Sequence, residues 1–428
     1  KELCGGEIVG DVWDVAAGGF PPFDVQLAYH QITELIGKEI PRDTVDNILR
    51  ALQIEITSES DGVMQLKVPT YRVDVQRPCD VIEDILRIYG YNNVEMPTAV
   101  HSSLSFKTPT DLSDDLRRTI ANQLTAIGFN EILNNSLTAA GYYTDLTSYP
   151  SDNSVRLLNP LSQDLNVMRQ TLLFGGLETI AHNANRKRPD LSLYEFGNVY
   201  FFNPKAESTA ENPTAPYSEA SHLALWLTGN FRGGNWARTA EEATFFDLKA
   251  IVANIFARLN IPAGEITLKP GDLDIFDTSL SIATRSGKHL GDMGVVKKSV
   301  AKLADVKQSV SYAELDWGAI VKLAATKQTV FAPLPKTMPV KRDLALLIDN
   351  SVTMAQIEAI VKESERKLLR SVELFDVYDG KNLPSGKKSY AISITLQDSE
   401  KTLQDKQIDQ IMSKIVANLK KKAAAELR

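Results

Sequence analysis

Four carboxylates close together, Asp74, Asp80, Glu83 and Asp84, are the side chains best placed to do chemistry in this sequence. Oxygen donors at that density suit a hard cation, because Mg²⁺ takes a few carboxylates and keeps part of its water shell. The same residues have a second use. Asp80 stands where a helix N-cap belongs, with Glu83 three residues on, the spacing of a capping box. Acids near a helix start are also favoured by its dipole. Residue types and spacing leave both readings open.

The elements that must position these acids are legible. Alternation around Lys67–Val75 predicts a strand, with Asp74 at its end. Arg77 precedes Pro78 and is therefore pushed into an extended turn. A helix then runs through Ile82, Ile85, Leu86 and Tyr89, spaced along one apolar face, and Gly90 ends it. Upstream, Ala28–Leu35 reads as a short helix or strand–helix junction. Pro41–Leu52 reads as a helix with Val45, Ile48, Leu49 and Leu52 on one side. Gln53–Ser58 and Val63–Val68 form a hairpin around Ser60-Asp61-Gly62. Helices followed by a hairpin make residues 26–98 a small winged-helix-like domain. Its neutral-to-acidic helices offer no base-reading face, so no DNA partner is expected.

Composition bounds the rest. A chain of 428 residues should hold about three domains. Its formal net charge of −7 argues against a general nucleic-acid binder. The charge is uneven: from Ala332 onward there are 17 Lys+Arg and 13 Asp+Glu, leaving 30 and 41 of the totals for the body. An acidic body with a mildly basic end permits RNA contact there. Two cysteines, Cys4 and Cys79, match no zinc or redox spacing and suit a reducing cytoplasm. No run of apolar residues is long enough for a membrane span, and no signal peptide is visible. The first residues, up to about residue 25, read as the end of a preceding domain, so a fragment is expected.

Residues 104–330 alternate helices and strands over a length suited to one larger, mostly antiparallel α/β domain. Expected elements are a helix Asp114–Phe129, a strand Glu131–Leu137, a helix Thr171–Asn185 and a long strand Leu191–Phe202. An exposed loop Asn203–Ser221, a strand His222–Thr228, a helix Thr244–Leu259, and strands Asp292–Val296 and Val310–Leu315 complete it. Little chemistry surfaces there. The five histidines occur singly, without an i, i+4 zinc pair. Gly233-Gly234 lacks the Lys-Ser/Thr of a phosphate loop and reads as a turn. Glu195 reads as a buried, hydrogen-bonded structural carboxylate.

Phe331–Pro339 is a Pro-rich linker. After it the expected order is strand (Asp343–Asp349), helix (Ser351–Glu365), two strands (Val372–Tyr378, Ser389–Leu396), helix (Asp405–Lys422) and a last short strand (Ala425–Arg428). That βαββαβ order over 340–428 is the ferredoxin-like arrangement.

Specific motifs connect these pieces. Arg72-x-Asp74 followed by Asp80-x-x-Glu83-Asp84-Ile-x-Arg87-Ile-Tyr89-Gly90-Tyr91-Asn92 resembles a signature of the bacterial phenylalanine–tRNA ligase beta-subunit family. So do Asn159-Pro160-Leu161-Ser162 with Met168-Arg169-x-Thr171-Leu172-Leu173, and Tyr194-Glu195-Phe196-Gly197-Asn198-Val199. Phe174-Gly175 departs from the Pro-Gly expected there, and Asp84 stands where Glu is common. Val340–Ala345, Phe375–Tyr378, Gly386–Ser389 and Thr402-Leu403-x-Asp405 resemble that family's ferredoxin-fold anticodon-binding domain.

The resemblance covers essentially the whole chain and implies an α+β multidomain protein. Residues 26–98 would carry a Mg²⁺ site, with Asp74, Asp80, Glu83 and Asp84 sharing the ion with the alpha subunit. Residues 104–330 would be a class II synthetase-like core without an active site. An active core needs arginines around the ATP phosphates, yet Gly291–Val296 has none after it and Tyr194–Tyr200 contains none. Residues 340–428 would contact tRNA(Phe), with Lys336, Lys341, Arg342, Lys387 and Lys388 as the expected cations. The implied holoenzyme is a cytoplasmic alpha2-beta2 heterotetramer that uses ATP, bound elsewhere than on this chain, to attach phenylalanine through an aminoacyl-adenylate. The alternative is a non-enzymatic RNA-binding scaffold derived from such a subunit.

Overall fold

The computed structural model describes residues 1–99, 108–380 and 383–428, in two compact units, 1–107 and 108–428. Residues 1–22 are exposed and carry no strand.

The first unit runs β1 (Phe23–Ala28), α1 (Tyr29–Ile36), α2 (Arg42–Ala51), β2 (Glu55–Ser60), β3 (Val63–Val68) and α3 (Pro78–Tyr89). Its antiparallel sheet has the order β1-β3-β2. Asp61 and Gly62 both have positive φ, the two-residue turn whose twist suits a hairpin. Val25, Leu27, Ile32, Val45, Leu49 and Met64 are among the side chains sealed in its core, together with Ile82 and Ile85 of α3. The strand expected over Lys67–Val75 stops at Val68, and Asp74 lies in a turn closed by the Val75 amide on the Arg72 carbonyl at 3.1 Å. Pro78 starts α3 earlier than the acids suggested: Arg77 is the N-cap and Asp80 sits at N3.

The second unit opens with α4 (Pro109–Ala126), β4 (Asn130–Glu131), β5 (Leu137–Thr138) and β6 (Val167–Met168). It continues through α5 (Leu173–Ala184), β7 (Leu191–Phe202), β8 (Tyr217–Thr228), β9 (Asn230–Arg232), β10 (Glu241–Glu242) and α6 (Phe245–Arg258). Next come β11 (Ile266–Pro270), β12 (Phe276–Thr284), β13 (His289–Val296), α7 (Lys298–Leu303), β14 (Val310–Asp316) and α8 (Trp317–Ala324). Seven strands form one sheet in the order β11-β12-β13-β14-β8-β7-β4, antiparallel except for the short β4–β7 pair. The strand expected over Glu131–Leu137 breaks after Glu131 because Asn134 turns inward to Glu195 instead of joining the ladder. β8 begins five residues before His222, pairing Tyr217–Ser221 with β7 where an open loop was expected.

One face of this sheet packs on α4, α6 and α8 through residues such as Leu124, Leu225, Leu248, Ile255, Met293 and Ile320. The other face meets α5, α7 and the segment around Tyr143. Gly176 of α5 lies against the indole of Trp226, where an added Cβ would sit 2.0 Å from the ring.

The chain ends in β15 (Val340–Asp349), α9 (Met354–Ser364), β16 (Leu369–Tyr378), β17 (Lys387–Leu396), α10 (Asp405–Ala423) and β18 (Glu426–Leu427). The sheet order β16-β17-β15-β18, with both helices packed on one face, is the ferredoxin-like topology. Among the described residues, no helix is long and apolar enough to cross a membrane.

Candidate functional site

The acids near α3 are answered mainly by arginines. Asp80 accepts from the backbone amide of Arg77 at 2.9 Å and from its guanidinium at 2.8 Å. Those bonds hold its carboxyl well below the usual carboxylate range. Asp84, buried on the inner side of α3, is bridged by Arg72 and by Arg87, the latter at 2.5 Å. Asp74 and Glu83 are exposed, and among the described residues neither has a hydrogen-bond or ion-pair partner. Among the described residues, no group of three or more His, Cys, Asp and Glu is disposed to hold a metal. As folded, the donor set therefore does not fit a four-carboxylate Mg²⁺ cage, and only Asp74 and Glu83 present unengaged carboxylates. Arg77–Asp80 and Asp84–Arg87 are i, i+3 pairs on α3 and its cap, a spacing that marks them as partners. Arg72 has no such local signal, since it reaches Asp84 through the turn.

The motif Tyr194-Glu195-Phe196-Gly197 sits in the middle of β7. Glu195 is fully buried and takes Arg169 Nη1 at 2.7 Å and Asn134 Nδ2 at 2.7 Å. Arg169 Nε donates to the Asn198 carbonyl at 2.9 Å, and Thr179 holds the Asn134 amide at 3.0 Å. Gly197 makes room for this guanidinium: an added Cβ would lie 2.3 Å from Arg169 Nη2. The motif residues thus satisfy one another, and Glu195 is a structural carboxylate as expected. Phe174 stacks on Tyr142 with ring centroids 4.3 Å apart, a packing role.

Register extends the polar row across the same face: Glu195 pairs with Ala224, Ala224 with Glu314, Glu314 with Asp292, and Asp292 with Ser281. Buried Glu314 accepts from His222 Nδ1 at 2.7 Å, Thr171 Oγ1 at 2.5 Å, the Leu172 amide at 3.3 Å and the Tyr312 hydroxyl. Burial pushes the Glu314 carboxyl up, but these bonds and the His222 charge outweigh it and leave it below the usual range. Burial likewise pulls His222 down, and Glu314 more than reverses this, so the imidazole titrates above its ordinary value. His289, bonded to Asp292 at 2.8 Å, is also raised, first by that hydrogen bond. Single, scattered histidines carry no hint of this row; only strand register assembles it.

The expected cations of the ferredoxin-like region fall into two groups. Lys336 faces Glu400 at 3.4 Å, Lys341 faces Glu373 at 3.8 Å and Arg342 faces Asp405 at 3.8 Å. Lys387 pairs with Glu426 at 2.9 Å, while Lys388 donates to the Asn350 carbonyl at 2.9 Å and lies over Tyr390. Lys341 is opposite Thr395, eight positions along β17 from Lys387, so the groups lie roughly 25 Å apart at about 3.3 Å per residue. All five hold exposed, exchangeable partners of the kind that contribute little.

Sequence comparisons give this architecture a family. The profile described as "tRNA synthetase B5 domain" matches residues 25–91, "Phenylalanyl tRNA synthetase beta chain CLM domain" residues 96–317, and "Ferredoxin-fold anticodon binding domain" residues 335–428. Consecutive matches of this kind define a multidomain chain of the tRNA synthetase class. More particularly, the chain belongs to the phenylalanyl tRNA synthetase beta chain family. A phenylalanine–tRNA ligase beta subunit from Bacteroides fragilis is 52% identical across 100% of this chain and 52% of its own length. One from Porphyromonas gingivalis is 47% identical over the same shares. The chain spans about half the length of the curated relatives it matches. A solved pyrrolysyl-tRNA synthetase from Desulfitobacterium hafniense aligns at 12% identity over 50% of this chain and 70% of that chain, with a TM-score of 0.38, too slight to bear on the fold.

Proposed function

We propose that this chain is the non-catalytic part of a phenylalanine–tRNA ligase beta subunit. The ligase attaches phenylalanine to tRNA(Phe) with ATP through an aminoacyl-adenylate formed on the alpha subunit of an alpha2-beta2 assembly. In this reading residues 26–98 form the winged-helix-like domain, 104–330 the silent synthetase-like core and 340–428 the anticodon-binding domain. The observation that carries the silent assignment is the polar row on the large sheet. Adenylate formation needs cations around phosphates as charge develops. Here that face presents Glu195, Glu314 and Asp292, and Arg169 is sealed against Glu195.

Exposed apolar side chains support an obligate partner over a free RNA scaffold. Leu158, Leu161 and Trp236 are each more than nine-tenths exposed. Asp74 and Glu83 would give the shared Mg²⁺ its direct contacts, and Asp80 and Asp84 would join only by exchanging their arginines. Lys336, Lys341, Arg342, Lys387 and Lys388 would contact tRNA phosphates at two separated places.

Co-purification with the alpha subunit from the same organism, with and without Mg²⁺, tests the reading. A stable complex weakened by Asp74→Ala or Glu83→Ala is expected. Failure to form any complex with a well-folded alpha subunit would remove the subunit assignment, and tRNA binding without association would favour the scaffold.

A further inference from the structure

We propose that a cavity on the polar face of the large sheet binds a small organic cation, a primary ammonium group on a short apolar body. The proposal stands apart from the subunit reading, because it concerns only what this face can hold. The cavity, about 130 Å³, lies among β8, β12, β13 and β14 and the segment carrying Tyr149. Its volume is close to the engineered cavities of about 150 Å³ that admit benzene. One wall is apolar, with Tyr149, Leu273, Ile275 and Phe276. The other carries His222, His289, Asp292, Glu314 and Asp316, and among the described residues no lysine or arginine lines the space.

The hydrogen bonds already made leave only a few atoms free for a ligand. Glu314 is saturated by its own neighbours, so it contributes field rather than a bond. Asp292 uses Oδ2 on His289 at 2.8 Å and keeps Oδ1. Asp316 uses Oδ1 on the Ala319 amide at 2.8 Å, capping α8, and keeps Oδ2. His222 turns Nδ1 to Glu314, which fixes its proton there when neutral and leaves Nε2 as an acceptor. Among the described residues, two carboxylate oxygens and one imidazole nitrogen therefore lack donors. An ammonium group has three donors and no acceptor, the complement of that set.

Other occupants fit less well. Three carboxylates with no lysine or arginine repel an anion. Among the described residues, no set of three or more such side chains is arranged to hold a metal ion. The facing titratable groups are His222, His289, Asp292, Glu314 and Asp316, with the phenols of Tyr149 and Tyr312. Both imidazoles titrate above their ordinary value: burial pulls His222 down but its bond to Glu314 outweighs this, and His289 is raised first by its bond to Asp292. A bound cation and a proton on His222 answer the same field, so they compete. Affinity should rise with pH, by at most about tenfold per unit for each proton displaced.

The test is a titration of the full chain with n-butylammonium, followed through the imidazole NMR signals of His222 and His289, with n-butanol and butyrate as matched probes. Saturable shifts of both signals are expected only with the amine, with a Kd on the order of 1 mM for so few atoms. Binding should tighten severalfold from pH 6 to pH 8. Asp316→Asn, which keeps the helix cap, should weaken it at least about fivefold for the lost charge. Asp292→Asn serves the same purpose should α8 be disturbed. Equal binding of butanol, no saturable shift, pH-independent affinity or full binding by both aspartate variants would each overturn the proposal.

Discussion

Asp84 and Glu195 both lie in family-specific motifs and both face guanidinium groups, yet the structure treats them differently. Glu195 is enclosed with Arg169, whose side chain is only 6% exposed, and both Glu195 oxygens and the Arg169 Nε and Nη1 find partners inside the same unit. Asp84 is buried between a mostly covered Arg72 and an Arg87 that is 57% exposed, with exposed Glu83 beside it on α3. A motif carboxylate closed within its own fold serves packing. Asp84, though buried, is bridged on one side by an arginine that solvent reaches, so its pairing is less enclosed than that of Glu195.

The largest break in that contrast should come from Arg169→Ala. It leaves Glu195 charged and buried, and equilibrium urea unfolding should show a loss of about 3–5 kcal/mol. The double change Arg169→Met with Glu195→Leu should recover most of it, since an apolar pair replaces a buried ionic one at little net loss. Gly197→Ala forces a methyl onto the same guanidinium and should lose about 1–3 kcal/mol. On the other side of the comparison, Asp84→Ala strips Arg72 of its partner. Arg72 Nε is already buried without a hydrogen bond, so a loss of about 1–3 kcal/mol is expected in thermal unfolding of the first unit.

A smaller effect should follow pH. His222 is raised on folding, so its contribution is present below the unfolded value of about 6.5 and fades as pH climbs through the folded one. Glu314 is lowered, so its contribution is present above about 4.3 and fades as pH falls through its folded value. Stability from this pair should therefore peak between those limits. His222→Gln should flatten the alkaline side in urea melts at pH 6 and pH 9. Least of all, Lys387→Ala should change stability by under about 0.5 kcal/mol, while lowering the salt slope of tRNA binding by about 1 if it contacts phosphate.

The sequence carried much of this architecture because periodicity and punctuation act locally. The strand Leu191–Phe202 was read with its observed limits, and α5, α6 and α10 were read to within one or two residues. Local reasoning failed where a distant partner decides. Nothing near Asn134 announces that it leaves the expected strand for Glu195, 61 positions away. β11 and β12 were missed because their half-buried, Ser/Thr-containing sequences resemble loops until β13 supplies a neighbour. The acids near α3 were found, but which oxygens are engaged depends on Arg72, whose reach through a turn no spacing rule encodes. The His222–Glu314 row was invisible, since it exists only across strands.

The packing of Trp226 against Gly176 has an optical consequence. Of the four tryptophans, Trp226 and Trp317 are dry, whereas Trp13 and Trp236 are 88% and 99% exposed. Both dry indoles lie on the large sheet or its adjoining helix. The blue-shifted emission that resists iodide quenching should therefore report this sheet's core alone, and stay silent about the ferredoxin-like end, which contains no tryptophan.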